Sequence, residues 1–316
     1  MKEAALKKKT LQWLIAFGLM CLLPLFVPVG WLRVLIIANF MAIFAMSWDI
    51  MSGYTGYVSF GHNFLIGLAG YVSVLLVYHL GFPLYVCLPI GILAAAGGGL
   101  LFALPTLKIR GPYFTLFTLG LLILLHRLVI TIGAPTGGTR GLFGFPTVFV
   151  GAIPNYYLSL GLAILTAFIL WYIGRSDFGK VLKGIYLDED VVESSGLNTV
   201  RFKLHSFVIS SIFAGVGGVF FIHYLGSIAP ETVFSIFLLM NIIISAVVGG
   251  MGTIIGPFIG AYILMLILEG LRPVAPGASR IVIYAVIGLA VFVLRPGGIY
   301  PEIQRLLTFL KGLRKG

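Results

Sequence analysis

Ten apolar runs divide this chain almost end to end: residues 11–29, 32–50, 57–79, 83–104, 112–132, 155–174, 204–226, 232–250, 254–271 and 279–295. Each comes close to the roughly 20 residues a helix needs to cross the hydrocarbon core of a bilayer. In lipid every backbone N–H and C=O must find an internal partner, so only helices and closed barrels span. Runs of this length predict helices, with the fourth, eighth and ninth as candidates for shorter or re-entrant segments. Of the 316 residues, 59% are hydrophobic and 10% charged, against roughly 25% charged in soluble domains. No soluble fold of this size hides so much apolar surface. The expected fold is an all-α integral membrane protein of about ten transmembrane helices, with 1–316 as a single transmembrane domain.

The net charge of +11 invites a nucleic-acid reading, which the positions of the charges oppose. Sixteen of the 21 Lys and Arg fall in four segments: the N-terminus, 105–111, 174–203 and the tail from Arg295. Clustering of this kind is what the positive-inside rule produces. Ten crossings put all four segments on one side, with both termini cytoplasmic. Only Arg33, Arg127, Arg140, Arg272 and Arg280 remain for the other face. The opening MKEAALKKKT and the apolar run after it resemble a signal peptide. That run is long for one and no small-x-small cleavage pattern follows, so retention as a first membrane helix is expected. Cys21 and Cys87 both lie in apolar runs and do not indicate a disulfide framework.

The segment 175–203, RSDFGKVLKGIYLDEDVVESSGLNTVRFK, holds 10 of the 31 charged residues. Its second half reads as a short helix. Asp188, Glu189 and Asp190 set negative charge at the positive end of the helix dipole, and Gly196 can take the left-handed conformation that stops a helix. Val191 and Val192 offer a small apolar face beside Glu193. A solvated loop and a protein-docking lever both fit this pattern. The segment 133–155, GAPTGGTRGLFGFPTVFVGAIPN, is the longest outward connection, carries one charge and keeps Phe143, Phe145 and Phe149. A connection of this length is usually functional or packed as a lid.

Two glycine-rich segments, 52–71 and 248–262, share the spacing Gly53/Gly56 and Gly249/Gly252. Small residues let helices approach closely in lipid. If ten spans divide five and five, the two halves are inverted in the membrane, an arrangement that often lines a translocation path. Asn39, His62, Asn63, Thr115 and Asn241 are uncharged polar residues inside spans. Each could simply bond a neighbouring helix; as a set they suit a path for a neutral or zwitterionic solute.

Several chemistries lack support. Residues 174–181, GRSDFGKV, miss the phosphate-cradling pattern GxxxxGK[ST] by one residue, and a membrane helix stands where that pattern needs a strand. The five histidines show neither i,i+4 pairing nor cysteine neighbours, so no metal site is expected. No catalytic cluster supports an intramembrane enzyme. Buried ionisable groups for a proton relay are scarce, which weighs against a self-contained secondary transporter or channel.

With GYTGYVSFGHNFLIGLAGY, KIRGPYFTLFTLG, PTGGTRGLFGFP, SDFGKVLKGIYLDEDVVESSGLN and VVGGMGTIIGPFIGAY in this order, residues 32 to 300 resemble the membrane permease of ABC importers for branched-chain amino acids, in its M-type form. The resemblance implies a permease domain that pairs with a second, related permease. It implies two cytoplasmic ATPase subunits that bind the ATP and Mg, and an external solute-binding protein; this chain itself binds no cofactor. It further implies that 188–196 is a coupling helix docking into the ATPase through Asp188, Glu189, Asp190, Glu193 and Gly196. The family usually has Arg or another polar residue where Tyr186 and Leu187 stand, and alanines where Ser194 and Ser195 stand. That departure bears on which ATPase is recognised. Related permeases serve other neutral amino acids, urea or short amides, and some aromatic acids.

Overall fold

The computed structural model describes residues 18, 20–106, 109, 111–273, 278–294 and 297–302. The N-terminal basic segment, residues 11–17 and 19 of the first apolar run, Lys108, Arg110 and the basic tail lie outside the described residues. So do the two termini whose side was expected to be cytoplasmic.

The helices are α1 (Val29–Trp48), which runs on through a π-turn at Asp49–Gly53, α2 (His62–Leu80), α3 (Leu84–Thr106), α4 (Pro112–Ile132) and α5 (Ala152–Arg175). After them come α6 (Asp177–Leu187), α7 (Glu189–Ser194), α8 (Thr199–Leu225), α9 (Pro230–Val233), α10 (Ile236–Gly249), α11 (Ile255–Gly270) and α12 (Ala278–Leu294). Their ends follow the sequence. Pro112 opens α4, where its missing N–H costs nothing. Gly81 and Gly226 close α2 and α8 in the left-handed conformation.

Among the described residues seven helical segments are long and apolar enough to cross a membrane, the last of them, Pro230–Gly249, uniting α9 and α10. The expected ninth span is α11, with 16 residues, and the tenth is α12, with 17. The fourth run is not shortened: α3 has 23 residues. The eighth is broken at Phe234–Ser235, where Ser235 caps α10 by accepting from the Leu238 N–H at 3.1 Å.

At the centre α1 packs against α5, α8, α10 and α11, burying Phe40, Phe44 and Trp48. It runs antiparallel to α8: Phe40 meets Phe221, the Ser210 hydroxyl donates to the Ser47 carbonyl, and the Ser206 hydroxyl donates to that of Ile50. Close approach rests on small residues; a Cβ on Gly217 would stand 2.7 Å from Phe44, and one on Gly218 as near the backbone of Ile66.

The expected lid, 133–155, folds back on the bundle through a two-residue antiparallel bridge that the all-helical reading did not contain. Leu142–Phe143 (β1) pairs with Ser227–Ile228 (β2). Phe145 is buried there, while Phe143, Phe149 and Val150 stay exposed.

Candidate functional site

The charged segment forms two helices at the end of the bundle where α5 stops and α8 starts. Ser176, extended between α5 and α6, caps α6. That helix is amphipathic: Gly179, Leu182 and Ile185 face inward, and the Lys183 ammonium lies 4.7 Å from the centre of the Tyr54 ring. Asp188 then caps α7, its Oδ1 accepting from the N–H groups of Asp190 at 3.0 Å and Val191 at 3.1 Å. Gly196 follows the helix with φ of 86°. Six residues cannot hold a helix alone in water, so α7 depends on what lies behind it.

What lies behind it is Lys203. Its side chain is 2% exposed and its Nζ stands 2.6 Å from Oε1 of Glu189, itself 11% exposed. The same ammonium donates to the Tyr57 hydroxyl at 3.1 Å, and that hydroxyl donates to Glu189 Oε2 at 2.5 Å. The Thr199 hydroxyl lies 3.1 Å from Glu189 Oε1 and 2.6 Å from Glu193 Oε1. Burial pushes the Glu189 carboxyl upward, but the hydrogen bonds from Lys203 and Tyr57 and the Lys203 charge prevail and hold it below its ordinary value. Glu189 thus turns into the bundle. Asp188, Asp190, Glu193 and Gly196 lie on the exposed side with Val191, while Tyr186 and Leu187 are exposed just ahead of α7.

Tyr57 belongs to the irregular stretch 54–61 between the π-turn and α2. Most of this stretch is buried, so its backbone groups need partners. Side chains supply them. Trp48 Nε1 donates to the Ser59 carbonyl, Thr115 Oγ1 to that of Val58, and the Phe60 N–H donates to Thr118 Oγ1. Ser52 Oγ accepts from the Ser59 N–H and Ser59 Oγ from that of Gly61. Gly56, at φ of 77°, lies against Tyr186 of α6, where a Cβ would come within 2.9 Å of the ring. The first glycine-rich segment and the charged segment therefore meet.

The second glycine-rich segment meets the first from the other side. Asp49, fully buried in the π-turn, accepts from the Gly252 N–H at 2.7 Å and the Ile254 N–H at 2.9 Å. Ile254 has φ of 62°, the sole positive φ outside glycine among the described residues, a conformation that costs a β-branched residue energy. The carboxylate cradles the loop that carries this strain. An acidic residue inside an apolar run was the sequence signal for Asp49; its partners, being backbone, left none.

The polar residues expected along a path are not brought into one cluster. Asn39 ties three helices together: Nδ2 donates to Ser159 of α5, and Oδ1 accepts from the Tyr262 hydroxyl of α11. Thr115 is a strut for the 54–61 stretch. His62 Nε2 pairs with the Ser47 hydroxyl at 2.9 Å, and Asn63 Nδ2 donates to the Ser235 carbonyl at 2.9 Å. Asn241 Nδ2 bonds its own helix at Phe237. His62 Nδ1, Asn63 Oδ1 and Asn241 Oδ1 are buried without a hydrogen-bond partner. Among the described residues no group of His, Cys, Asp and Glu could hold a metal ion.

The chain is 25% identical to the high-affinity branched-chain amino acid transport system permease protein LivM of Escherichia coli, over 93% of this chain and 75% of that protein. The LivM of Salmonella typhimurium matches with the same identity and coverage. A chain of PsaBC from Streptococcus pneumoniae, solved in complex with Fab, aligns at 16% identity with a TM-score of 0.47, covering 86% of this chain and 94% of that one. That likeness is below the level that establishes a shared fold. The family described as the permease component of the branched-chain amino acid transport system matches residues 30–291, and the chain, a multi-pass inner-membrane protein, belongs to that family of importer permeases.

Proposed function

We propose that this chain forms half of the translocation path of an ATP-driven importer for branched-chain or other neutral amino acids. A second, related permease supplies the other half, two cytoplasmic ATPase subunits hold the ATP and Mg, and an external binding protein delivers the solute. The whole of 1–316 acts as one permease domain, with 175–203 as the cytoplasmic coupling loop and 133–155 as the outer loop. On this reading both termini are cytoplasmic. The antiparallel α1 and α8, each followed by an irregular stretch and a further helix, support two inverted halves.

The observation that carries the reading is the exposed apolar face at α7. Val191 on α7 is 61% exposed, and Leu187 at the end of α6 is 82% exposed; both stand beside Asp190 and Glu193, on a segment anchored from within. Exposed apolar groups rimmed by charge mark contact surfaces. Asp188 and Gly196 shape the helix, and Asp190 and Glu193 face the ATPase. Of the polar residues in the spans, His62, Asn63 and Asn241, with atoms left to pair, are the path residues; Asn39 and Thr115 brace the helices beside them.

The test is co-purification. Wild-type membranes should yield this chain with both ATPases, whereas Val191→Arg should lose them while the permease pair stays intact. Retention of the ATPases with full ATP-driven uptake in Val191→Arg would overturn the docking role.

A further inference from the structure

The ring formed by Glu189, Lys203 and Tyr57 joins three separate parts of the chain: α7, the start of α8 and the stretch before α2. Each member serves the other two. Lys203 donates to Glu189 and to Tyr57, and Tyr57 donates to Glu189. The ammonium also sits 4.5 Å from the centre of the Tyr57 ring. Hydrogen bonds with an ionised partner are the strong ones, and a buried network loses more than one bond's worth when a member goes. Such a ring is made or broken as a unit.

The stretch it grips is held in an unusual way. Residues 57–61 have no helical ladder to lock them. Their carbonyls and N–H groups hang on Trp48 and Ser52 of α1 and its π-turn, and on Thr115 and Thr118 of α4. Displacing Tyr57 therefore loads α4 through Val58 and Phe60, and α2 through Gly61. Two further contacts bind the same stretch to α6: Tyr186 covers Gly56, and Lys183 covers Tyr54. A movement of α6 and α7 has a bonded route into the spans, and the ring is its strongest joint.

We infer that Glu189, Lys203 and Tyr57 are positioning residues for transport: they tie α7 to the 54–61 stretch, so that displacement of α7 by the ATPases moves the N-terminal end of α2, where His62 and Asn63 stand. This rests on the docking reading of α7 and assigns Glu189 a role apart from the docking surface. Coupling energy is carried by contiguous hydrogen-bonded and ion-paired groups, and the three partners form such a chain from α7 to Tyr57.

The experiment measures uptake and ATP hydrolysis together in vesicles holding the full importer, with wild type and Val191→Arg as references. Tyr57→Phe keeps the ion pair and the ring's edge contact with Phe114 and deletes only the hydroxyl. It should retain bound ATPases and continuing hydrolysis, while solute moved per ATP falls by about one to two orders of magnitude, the weight of one hydrogen bond to a charged group. Glu189→Lys and Lys203→Glu should each uncouple, and their combination should recover a large part of the wild-type ratio. A merely stabilising ring would lower the melting temperature and leave solute per ATP unchanged in Tyr57→Phe; that result overturns the proposal. Loss of ATPase binding in Tyr57→Phe also overturns it, since the joint would then be part of docking. If Val191→Arg keeps its ATPases, the docking reading itself has failed. Should a single charge variant not assemble, Tyr57→Phe alone decides.

Discussion

At the end of the bundle that carries α6 and α7, two carboxylates are withdrawn from solvent, Glu189, partly buried, against the buried Lys203, and Asp49, fully buried, against the backbone of 252–254. The opposite end is fastened more lightly. There the 133–155 connection is held by the two-residue bridge to 227–228, by the Gly144 N–H on the Gly226 carbonyl, and by His79 and His223 on the carbonyls of Pro135 and Pro146. Removing one partner of a buried charge costs about 3–5 kcal/mol, whereas a neutral hydrogen bond contributes about 1 kcal/mol. The strong joints sit where, on our reading, force enters. The weak ones sit where, on the same reading, the solute enters, beside an apolar cleft of about 500 Å³ between the α2–α3 turn and residues 144–146.

The largest effect expected from this contrast is at Asp49. Asp49→Ala strips the acceptor from the Gly252 and Ile254 N–H groups, each worth about 1–3 kcal/mol once buried and unsatisfied, and removes the side chain that braces Ile254 in its left-handed conformation. The solubilised chain should melt well below wild type. Asp49→Asn keeps one acceptor oxygen and should fall between the two. Equal melting of the Ala and Asn variants would show that the carboxylate does not hold the loop, and the difference between the two ends would lose half its basis.

At the end held by the 142–143/227–228 bridge the corresponding substitution is His223→Ala. Its ring bridges the Ser73 hydroxyl at 2.9 Å and the Pro146 carbonyl at 2.8 Å, and its edge meets Phe145. Two neutral bonds and one ring contact amount to about 2–3 kcal/mol. The loss should be local: hydrogen exchange in 142–150 should quicken while that of α7 stays as it was. If the α7 amides quicken equally, the two ends are not independent joints.

The reading of the sequence reached some of this and missed some for definite reasons. Runs of apolar residues located the seven segments long enough to cross a membrane among the described residues, because lipid sets a minimum length for a spanning helix. They could not say which helix is central. Fifteen of α1's 20 residues are buried and only four of α4's 21, yet both helices are predominantly apolar, since lipid and a neighbouring helix ask for the same side chains. The caps of α7 were legible because Asp188 and Gly196 act within one turn. The inward turn of Glu189 was not. Glu189 and Asp190 are adjacent acids, and what separates them is Lys203, 14 residues on, folded back beneath one of them. The convergence of the two glycine-rich segments was likewise hidden: spacing hinted that they were related, but contact runs through Asp49 and bare N–H groups some 200 residues away.

The smallest effect, and the sharpest on the α7 side, is the response to acid. Glu189 is held below its ordinary value of 4.5, so the fold favours its ionised form. The stabilisation this brings is complete above that ordinary value and is lost as pH falls through the lower, folded one. Lys203 and Tyr57 face the carboxylate from α8 and from 54–61, with Thr199 beside them and Glu193 sharing its hydroxyl. Protection of the α7 amides, corrected for intrinsic exchange, should therefore stay level from about pH 8 down to about pH 5 and fall only below the ordinary carboxylate range. The isolating comparison is Glu189→Gln, which should lower protection at neutral pH and flatten the acid fall. An acid fall as steep in Glu189→Gln as in wild type would place the titrating group elsewhere. It would also remove the charged ring as the reason this end holds more firmly than the other.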